Sequence, residues 1–334
     1  MLKFVQYLLE SRDFMLIPAR LKQNDEIRII APSRTLDCVG GFAANQTAQE
    51  KLTQLGFKVT FGNYVSGMTL DGTNSISERI DDIHAAFSDP NVKAIQTVIG
   101  GFTSNELLPY LDFDLIANNP KIICGFSDFT ALANAITAKT GLVTYYGPAY
   151  ITLKMLDKAG AYQDNAFMQA LTQKHYELRP SQTWSSDEWF LSDSKRTFYP
   201  TAWKVYTSGR VHGQTVGGNV NTLFLLAGTP YQPDFEDKII LLEFSDDGET
   251  WLDFSRLLAQ VLQLAKRPRA LLLGRFPKTS QMTEQRLLYI LDKFPILKEI
   301  PVMYDLDFGH TQPIFTIPLG QEVWLDTDEL VIKI

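Results

Sequence analysis

Ser127 stands at the corner between an apolar stretch and an apolar-periodic helix in KIICGFSDFTALANAITAKTGL, residues 121 to 142. A serine between a buried strand and a helix has the logic of a nucleophile elbow. The tight turn exposes the hydroxyl, and the new helix aims its first amides at the same spot. Such a serine could attack an acyl carbon. The spacing is not G-x-S-x-G, because Phe129 occupies the place of the second glycine. The competing role is an N-cap, for which serine and aspartate are both favoured, so Ser127 or Asp128 would serve.

A serine nucleophile needs a base, and the base needs a carboxylate to orient it. The chain has four histidines. His84 lies inside the periodic helix SERIDDIHAAF, which suits a surface or edge role, and His175 sits in the weakly patterned QKHYELRP. His212 lies among glycines in GRVHGQTVGGN and stays open. His310, in DLDFGHTQPIF, follows a strand and a glycine and precedes a proline-containing turn. That is a strand-end loop, where α/β folds place their chemistry, although a turn histidine bonded to backbone fits the same spot. Glu243 ends the apolar run KIILLE. An acid there is costly unless it is paired. Asp246 and Asp247 are alternatives that read more naturally as a solvated turn or helix start. The order Ser127, Glu243, His310 is that of the α/β-hydrolases, although the same geometry recurs in other orders on unrelated folds.

The oxyanion of an acyl-transfer intermediate requires backbone donors. The amide of Asp128 follows the nucleophile directly. A second donor is expected from VIGGFTSNELLPYLD, where Gly100 and Gly101 end a strand and let backbone approach a ligand. Thr103 and Glu106 have the spacing of a capping box, so a helix is expected to start there. A plain β-to-α turn satisfies the same pattern. Cys124, within KIICGF, is an alternative thiol nucleophile, but its apolar surroundings favour a buried, inert side chain.

These residues need elements to hold them. From Glu26 onward, apolar runs (IRIIAPS, FKVTFG, VKAIQTVIGG, KIICGF, LVTYYGPA) alternate with helical periodicity, as in SISERIDDIHAAF with Ile76, Ile80, Ile83 and Phe87 on one face. Strands alternating with helices imply a parallel sheet covered on both faces, hence an α/β domain carrying the elbow. Between Leu153 and Tyr206 the pattern loosens. SQTWSSDEWFLSDSKRTFYPTAW carries three tryptophans without a regular period and reads as a long loop, the type of segment that often binds ligands. Alternation resumes with KIILLEF, SRLLAQVLQLAKRP, ALLLGRF, EQRLLYILDKF and IPVMYDLDFGH. PIFTIPLG and QEVWLDTDELVIKI close the chain and suggest a small hairpin. The expected fold class is α/β. It comprises an N-terminal extension (1–14), an N-terminal domain with a parallel sheet and nucleophile elbow (15–165), a linker and substrate loop (166–205), and a smaller C-terminal α/β domain with a terminal β-hairpin (206–334).

Of 334 residues, 31 are Lys or Arg and 38 are Asp or Glu, a net charge of −7. That argues against a phosphate-dominated nucleic-acid interface and favours a small-molecule or peptide partner. Two cysteines, Cys38 and Cys124, make neither a disulfide framework nor a metal-ligand spacing, so a reducing compartment is expected. MLKFVQYLLE soon meets charges and is too short to span a bilayer, so the expectation is a cytoplasmic protein without membrane contact.

Several of these motifs, in order over residues 15 to 334, resemble the LD-carboxypeptidase family of serine peptidases, which includes the microcin C immunity peptidases. They are IRIIAPS, IGGFTSNELLPYLDFDLI, GFSDFTAL with TGLVTYYGPA, GQTVGGNVNTLFLLAGTPY, KIILLEFSDD and FGHTQPIFTIPLG. The resemblance implies a two-domain homodimeric enzyme without metal or organic cofactor. It implies Ser127 as nucleophile, His310 as base and Glu243 as its orienter, with the amides of Gly101 and Asp128 as oxyanion hole. It also implies substrate contacts at Gly100, Phe102, Ser104, Asn105 and Trp189. In the immunity branch a loop tryptophan stacks on a nucleobase, and Trp189, with Trp184 as near alternative, is placed to do so. A structural tryptophan pinning the loop is the competing role. GGFTSNELLPYLDFDL and the WSSDEW loop lie closer to that branch, which cleaves peptidyl or aminoacyl nucleotides. The other branch releases terminal D-alanine from murein tetrapeptides. A catalytically silent nucleotide- or peptide-binding protein is the reading from another class.

Overall fold

The structure is a computed structural model that describes residues 15–190, 196–245 and 247–334. The expected N-terminal extension, Asp246 and five residues of the tryptophan-rich loop lie outside the described residues.

Sixteen strands are found among the described residues. In chain order they are β1 (Glu26–Ile30), β2 (Lys58–Phe61), β3 (Val92–Thr97), β4 (Ile122–Gly125), β5 (Thr144–Tyr146), β6 (Glu177–Leu178), β7 (Thr183–Trp184) and β8 (Tyr199–Pro200). There follow β9 (Lys204–Thr207), β10 (Arg210–Asn219), β11 (Ile239–Glu243), β12 (Ala270–Gly274), β13 (Val302–Leu306), β14 (Ile317–Leu319), β15 (Glu322–Asp326) and β16 (Val331–Lys333). The first sheet has the order β14-β5-β4-β3-β1-β2, parallel from β2 to β5. The second has the order β6-β16-β15-β10-β11-β12-β13-β9, with β10 to β13 parallel and antiparallel strands on both flanks. The central strands β4, β11 and β12 are buried at every position, which is why they read as unbroken apolar runs.

The helix Ile76–Ser88 starts at Ser75, whose hydroxyl and the Glu78 carboxylate close a reciprocal capping box, and it buries Ile80, Ile83 and Phe87 against the sheet. The helix Phe129–Thr140 is buried along Phe129–Ile136 because it lies between the two sheets, touching β5 on one side and β10 on the other. No helix of the described residues is long and apolar enough to cross a membrane.

The structure differs from the expected hairpin and loop. PIFTIPLG does not pair with the last segment. Its strand β14 crosses to the first sheet and lies antiparallel on β5, with Ile317 opposite Tyr146. All three of its residues are buried there, with the helix Phe129–Thr140 and β10 packed against the strand. The terminal hairpin forms within QEVWLDTDELVIKI, as β15 against β16. The tryptophan-rich stretch holds a short ribbon, β7 against β8, that sequence periodicity is too brief to reveal.

Candidate active site

Ser127 follows β4 directly and precedes the helix Phe129–Thr140. Its φ is +60°, a left-handed conformation that costs a non-glycine residue about 1–3 kcal/mol and recurs where a side chain must be aimed. Neither Ser127 nor Asp128 caps its own helix. The Asp128 side chain makes no cap bond, and the Ser127 hydroxyl faces His310.

Ser127 Oγ lies 3.1 Å from His310 Nε2, and His310 Nδ1 lies 2.7 Å from Glu243 Oε2. An ionised carboxylate only accepts, so Nδ1 carries the hydrogen and Nε2 is left to accept from the serine hydroxyl. Glu243 is fully buried at the end of β11, and its second oxygen accepts from the Tyr146 hydroxyl at 2.7 Å. Tyr146 in turn accepts the Ser127 backbone N–H at 3.0 Å. One buried hydroxyl therefore joins the nucleophile's backbone to the acid that orients the histidine. Burial first, and then the negative charge of Glu243, hold the phenol well above its ordinary pKa, so it stays a donor.

The relative placement of these groups comes from the helix between the sheets. Thr130 and Asn134, one turn apart on one face, are its polar residues toward β10. Thr130 Oγ accepts the Asn219 N–H at 2.9 Å, while the Asn134 side chain donates to the Gly217 carbonyl at 2.9 Å and accepts its N–H at 3.1 Å. Asn219 is in register with Glu243 on β11, so this clamp sets the distance from elbow to acid. Gly218, at φ +135°, lets the strand come this close. A β-carbon there would sit 2.6 Å from Thr130 Oγ and 2.8 Å from the Tyr146 ring.

Gly100 and Gly101 approach the elbow from the end of β3. A β-carbon on Gly100 would fall 2.9 Å from Ser127 Oγ and 3.3 Å from the Asp128 nitrogen, so only glycine leaves the nucleophile room. Neither the Gly101 nor the Asp128 amide donates to another described residue. Both are therefore available to an oxyanion. The expected capping box does not form: the segment Ser104–Tyr110 is a 3-10 helix without a side-chain cap from Thr103. Buried Arg79 takes both partners of that box, donating to Thr103 Oγ at 3.0 Å and to Glu106 at 2.8 Å. The Asp128 carboxylate supplies the missing acceptor, receiving the amides of Thr103 (3.0 Å) and Ser104 (2.9 Å) and the Ser33 hydroxyl (2.6 Å). Ser104 is fully buried, its hydroxyl donating to the Asp128 carbonyl. Asn105 is half-buried, and Phe102 is exposed at the rim with the Arg34 guanidinium 5.2 Å from its ring centre.

The loop that carries His310 hangs from Asp307, a fully buried carboxylate. It accepts from Arg275 at 3.0 Å, from the Ser181 hydroxyl and amide at 2.9 and 2.8 Å, and from the Trp203 indole at 2.8 Å. Those donors tie the tryptophan-rich segment to the histidine loop, and a bridge between Ser185 and Gln312 adds to it. In that segment Trp184 lies under the Arg275 guanidinium (4.8 Å) and beside Tyr199, while Trp189 is half-buried with Lys154 5.3 Å from its ring centre.

Other candidates fall elsewhere. His84 accepts the Asp112 N–H, His175 is exposed, and His212 stacks on Trp324 at 4.5 Å. Cys124 is buried, and desolvation pushes its thiol far up, which makes it a poor nucleophile. Asp247 is exposed and Asp246 lies outside the described residues. Among the described residues no group of three or more His, Cys, Asp or Glu is placed to hold a metal ion.

Tyr146, Thr130, Asn134 and Asp307 were not found by sequence reasoning. Their available signals were a tyrosine ending a buried strand and two polar residues one turn apart in an alanine-rich helix. Tyr146→Phe leaves one Glu243 oxygen and the Ser127 amide without their partner. An unmade buried bond of this kind costs about 1–3 kcal/mol, so turnover should fall roughly tenfold to a hundredfold with KM little changed. A steady-state comparison showing unchanged kcat would remove Tyr146 from the positioning network.

Known proteins resemble this chain in sequence and in fold. Residues 27–147 match the LD-carboxypeptidase N-terminal domain, and residues 212–325 match the LD-carboxypeptidase C-terminal domain. A putative carboxypeptidase of Bacillus subtilis, YocD, is 40% identical over 306 residues, covering 90% of this chain and 93% of its own. The Escherichia coli microcin C7 self-immunity protein MccF is 31% identical over 334 residues, covering 92% and 95%. Its structure in complex with aspartyl sulfamoyl adenosine superposes with a TM-score of 0.84 at 30% identity, over 96% of this chain and 98% of that one. An MccF-like protein from Bacillus anthracis superposes with a TM-score of 0.92 at 40% identity, over 96% and 99%. The two-sheet α/β architecture is that of these relatives, and the chain belongs to the LD-carboxypeptidase family.

Proposed function

We propose that this protein is a serine hydrolase that uses Ser127, His310 and Glu243 to cleave the amide or acyl linkage of aminoacyl or peptidyl nucleotides. The observation that carries the reading is the continuous path Glu243–His310–Ser127, with the serine held left-handed beside two uncommitted amides. Ser127 Oγ attacks the acyl carbon as its proton passes to His310 Nε2. Glu243 stabilises the imidazolium, and the amides of Gly101 and Asp128 receive the oxyanion. His310 then protonates the leaving group, and water, activated by the same imidazole, releases the acyl group from Ser127.

Two features favour the nucleotide class. MccF binds aspartyl sulfamoyl adenosine, and this chain has a half-buried tryptophan, Trp189, in its interdomain segment. Stacking on a base is worth about 1–3 kcal/mol. The test is side-by-side hydrolysis of an aminoacyl-sulfamoyl adenosine and an L,D-linked murein tetrapeptide. Trp189→Ala is expected to lower kcat/KM for the nucleotide conjugate roughly fivefold to a hundredfold and to spare the tetrapeptide. Equal losses on both would remove the stacking role. Release of D-alanine alone would make the murein-peptide branch the correct one.

A further inference from the structure

The amides of Gly101 and Asp128 serve an oxyanion only if both are aimed at one spot before the reaction begins. In a trans peptide the C=O and the N–H point in opposite directions. The direction of the Gly101 N–H is therefore set by whatever holds the Gly100 carbonyl. The Arg34 amide holds it, donating at 3.3 Å. Arg34 belongs to the loop after β1, Ala31-Pro32-Ser33-Arg34, so two loops from different strands must keep their places for one donor to be aimed.

The Asp128 side chain fastens both loops to the elbow. Its Oδ2 accepts the Ser33 hydroxyl from the loop after β1 at 2.6 Å, and the Thr103 and Ser104 amides from the loop after β3 at 3.0 and 2.9 Å. Ser33 Oγ packs on Gly101, where a β-carbon would fall 2.3 Å from it. The residue whose amide is one oxyanion donor thus carries the acceptor that places the other. All three bonds converge on one oxygen, and Oδ1 is buried without a hydrogen-bond partner. A buried acceptor left unmade is costly, so this side chain is not arranged for greatest stability.

We infer that the Asp128 carboxylate is a positioning group that keeps the oxyanion hole formed in the free enzyme, by clamping the loops after β1 and β3 onto the nucleophile elbow. This rests on the hydrolase reading above.

The test compares Asp128→Ala, Asp128→Asn and Ser33→Ala on whichever substrate the wild type cleaves, and times the modification of Ser127 by a fluorophosphonate. Asp128→Ala is expected to lower kcat about a hundredfold, within the range for loss of an oxyanion donor, with KM little changed. Modification of Ser127 should slow by a similar factor, because the phosphoryl oxygen takes the oxyanion's place. Substrate should bind Ser127→Ala and Ser127→Ala with Asp128→Ala equally well in calorimetry, since the hole serves the transition state. Asp128→Asn keeps an oxygen for the three donors and should stay within about tenfold of wild type. Ser33→Ala removes one of the three and should slow kcat and modification about fivefold. The inference is overturned if Asp128→Ala keeps kcat, if the loss lies in KM or substrate affinity alone, if modification does not share it, or if Asp128→Asn is as slow as Asp128→Ala. Should Asp128→Ala fail to fold, Ser33→Ala decides, and wild-type kcat and modification in that variant overturn the inference. A wild type that neither hydrolyses nor is modified refutes the hydrolase reading and this inference together, whereas the other failures leave that reading standing.

Discussion

Ser127→Ala and His310→Ala are each expected to lower kcat by at least about a thousandfold, because removing a nucleophile or its base costs several orders of magnitude. The fold of Ser127→Ala should be indifferent. The Ser127 side chain makes one hydrogen bond, to His310, and the left-handed backbone at this position is held by β4 below and the helix above. The thermal melt of Ser127→Ala should therefore agree with wild type within the effect of about 1 kcal/mol, whereas His310→Ala also leaves buried Glu243 without its partner and should melt lower. The double variant should be little slower than either single one, since the two side chains act as a unit. Residual activity within tenfold of wild type in a correctly folded Ser127→Ala would sink the triad.

Asp307→Ala should produce the largest loss of stability. The carboxylate is fully buried and receives four hydrogen bonds, and its removal leaves Arg275, whose side chain is only 4% exposed, as an uncompensated buried charge. Breaking a buried pair from one side costs about 3–5 kcal/mol. Because Ser181 and Trp203 hang on the same carboxylate, the tryptophan-rich segment and the histidine loop should loosen together, and activity should fall with stability. Denaturant unfolding of Asp307→Ala beside Asp307→Leu with Arg275→Met measures this. Replacing both charges should recover much of what one replacement loses. A single variant as stable as wild type would show that the cluster does not hold the loop.

The sequence made the elbow legible because its signals are local: an unbroken apolar run, a corner of small and polar residues, then a helix. Glu243 and His310 were legible as unusual residues at strand ends, where an acid after KIILL or a histidine after a glycine needs a reason. The parts that escaped are those whose partners are far along the chain. Asn134 reads as an ordinary polar helix residue until Gly217, 83 residues away, is brought against it. Tyr146 meets Glu243 across 97 residues, and Asp307 meets Ser181 across 126. The Thr103–Glu106 spacing promised a capping box, but a buried arginine from another helix competed for both side chains and won. β14 alternated as a strand should, yet its neighbour was decided by which sheet edge lay open to it.

The central claim, that Ser127 is the nucleophile, is tested most directly by covalent trapping. The full chain is treated with a fluorophosphonate, and the modified residue is located by peptide mapping with mass spectrometry. The expected result is a single adduct on Ser127 that forms far more slowly in His310→Ala and not at all in Ser127→Ala. An adduct on another residue, or a wild-type protein that remains unmodified while it turns over substrate, would contradict the account.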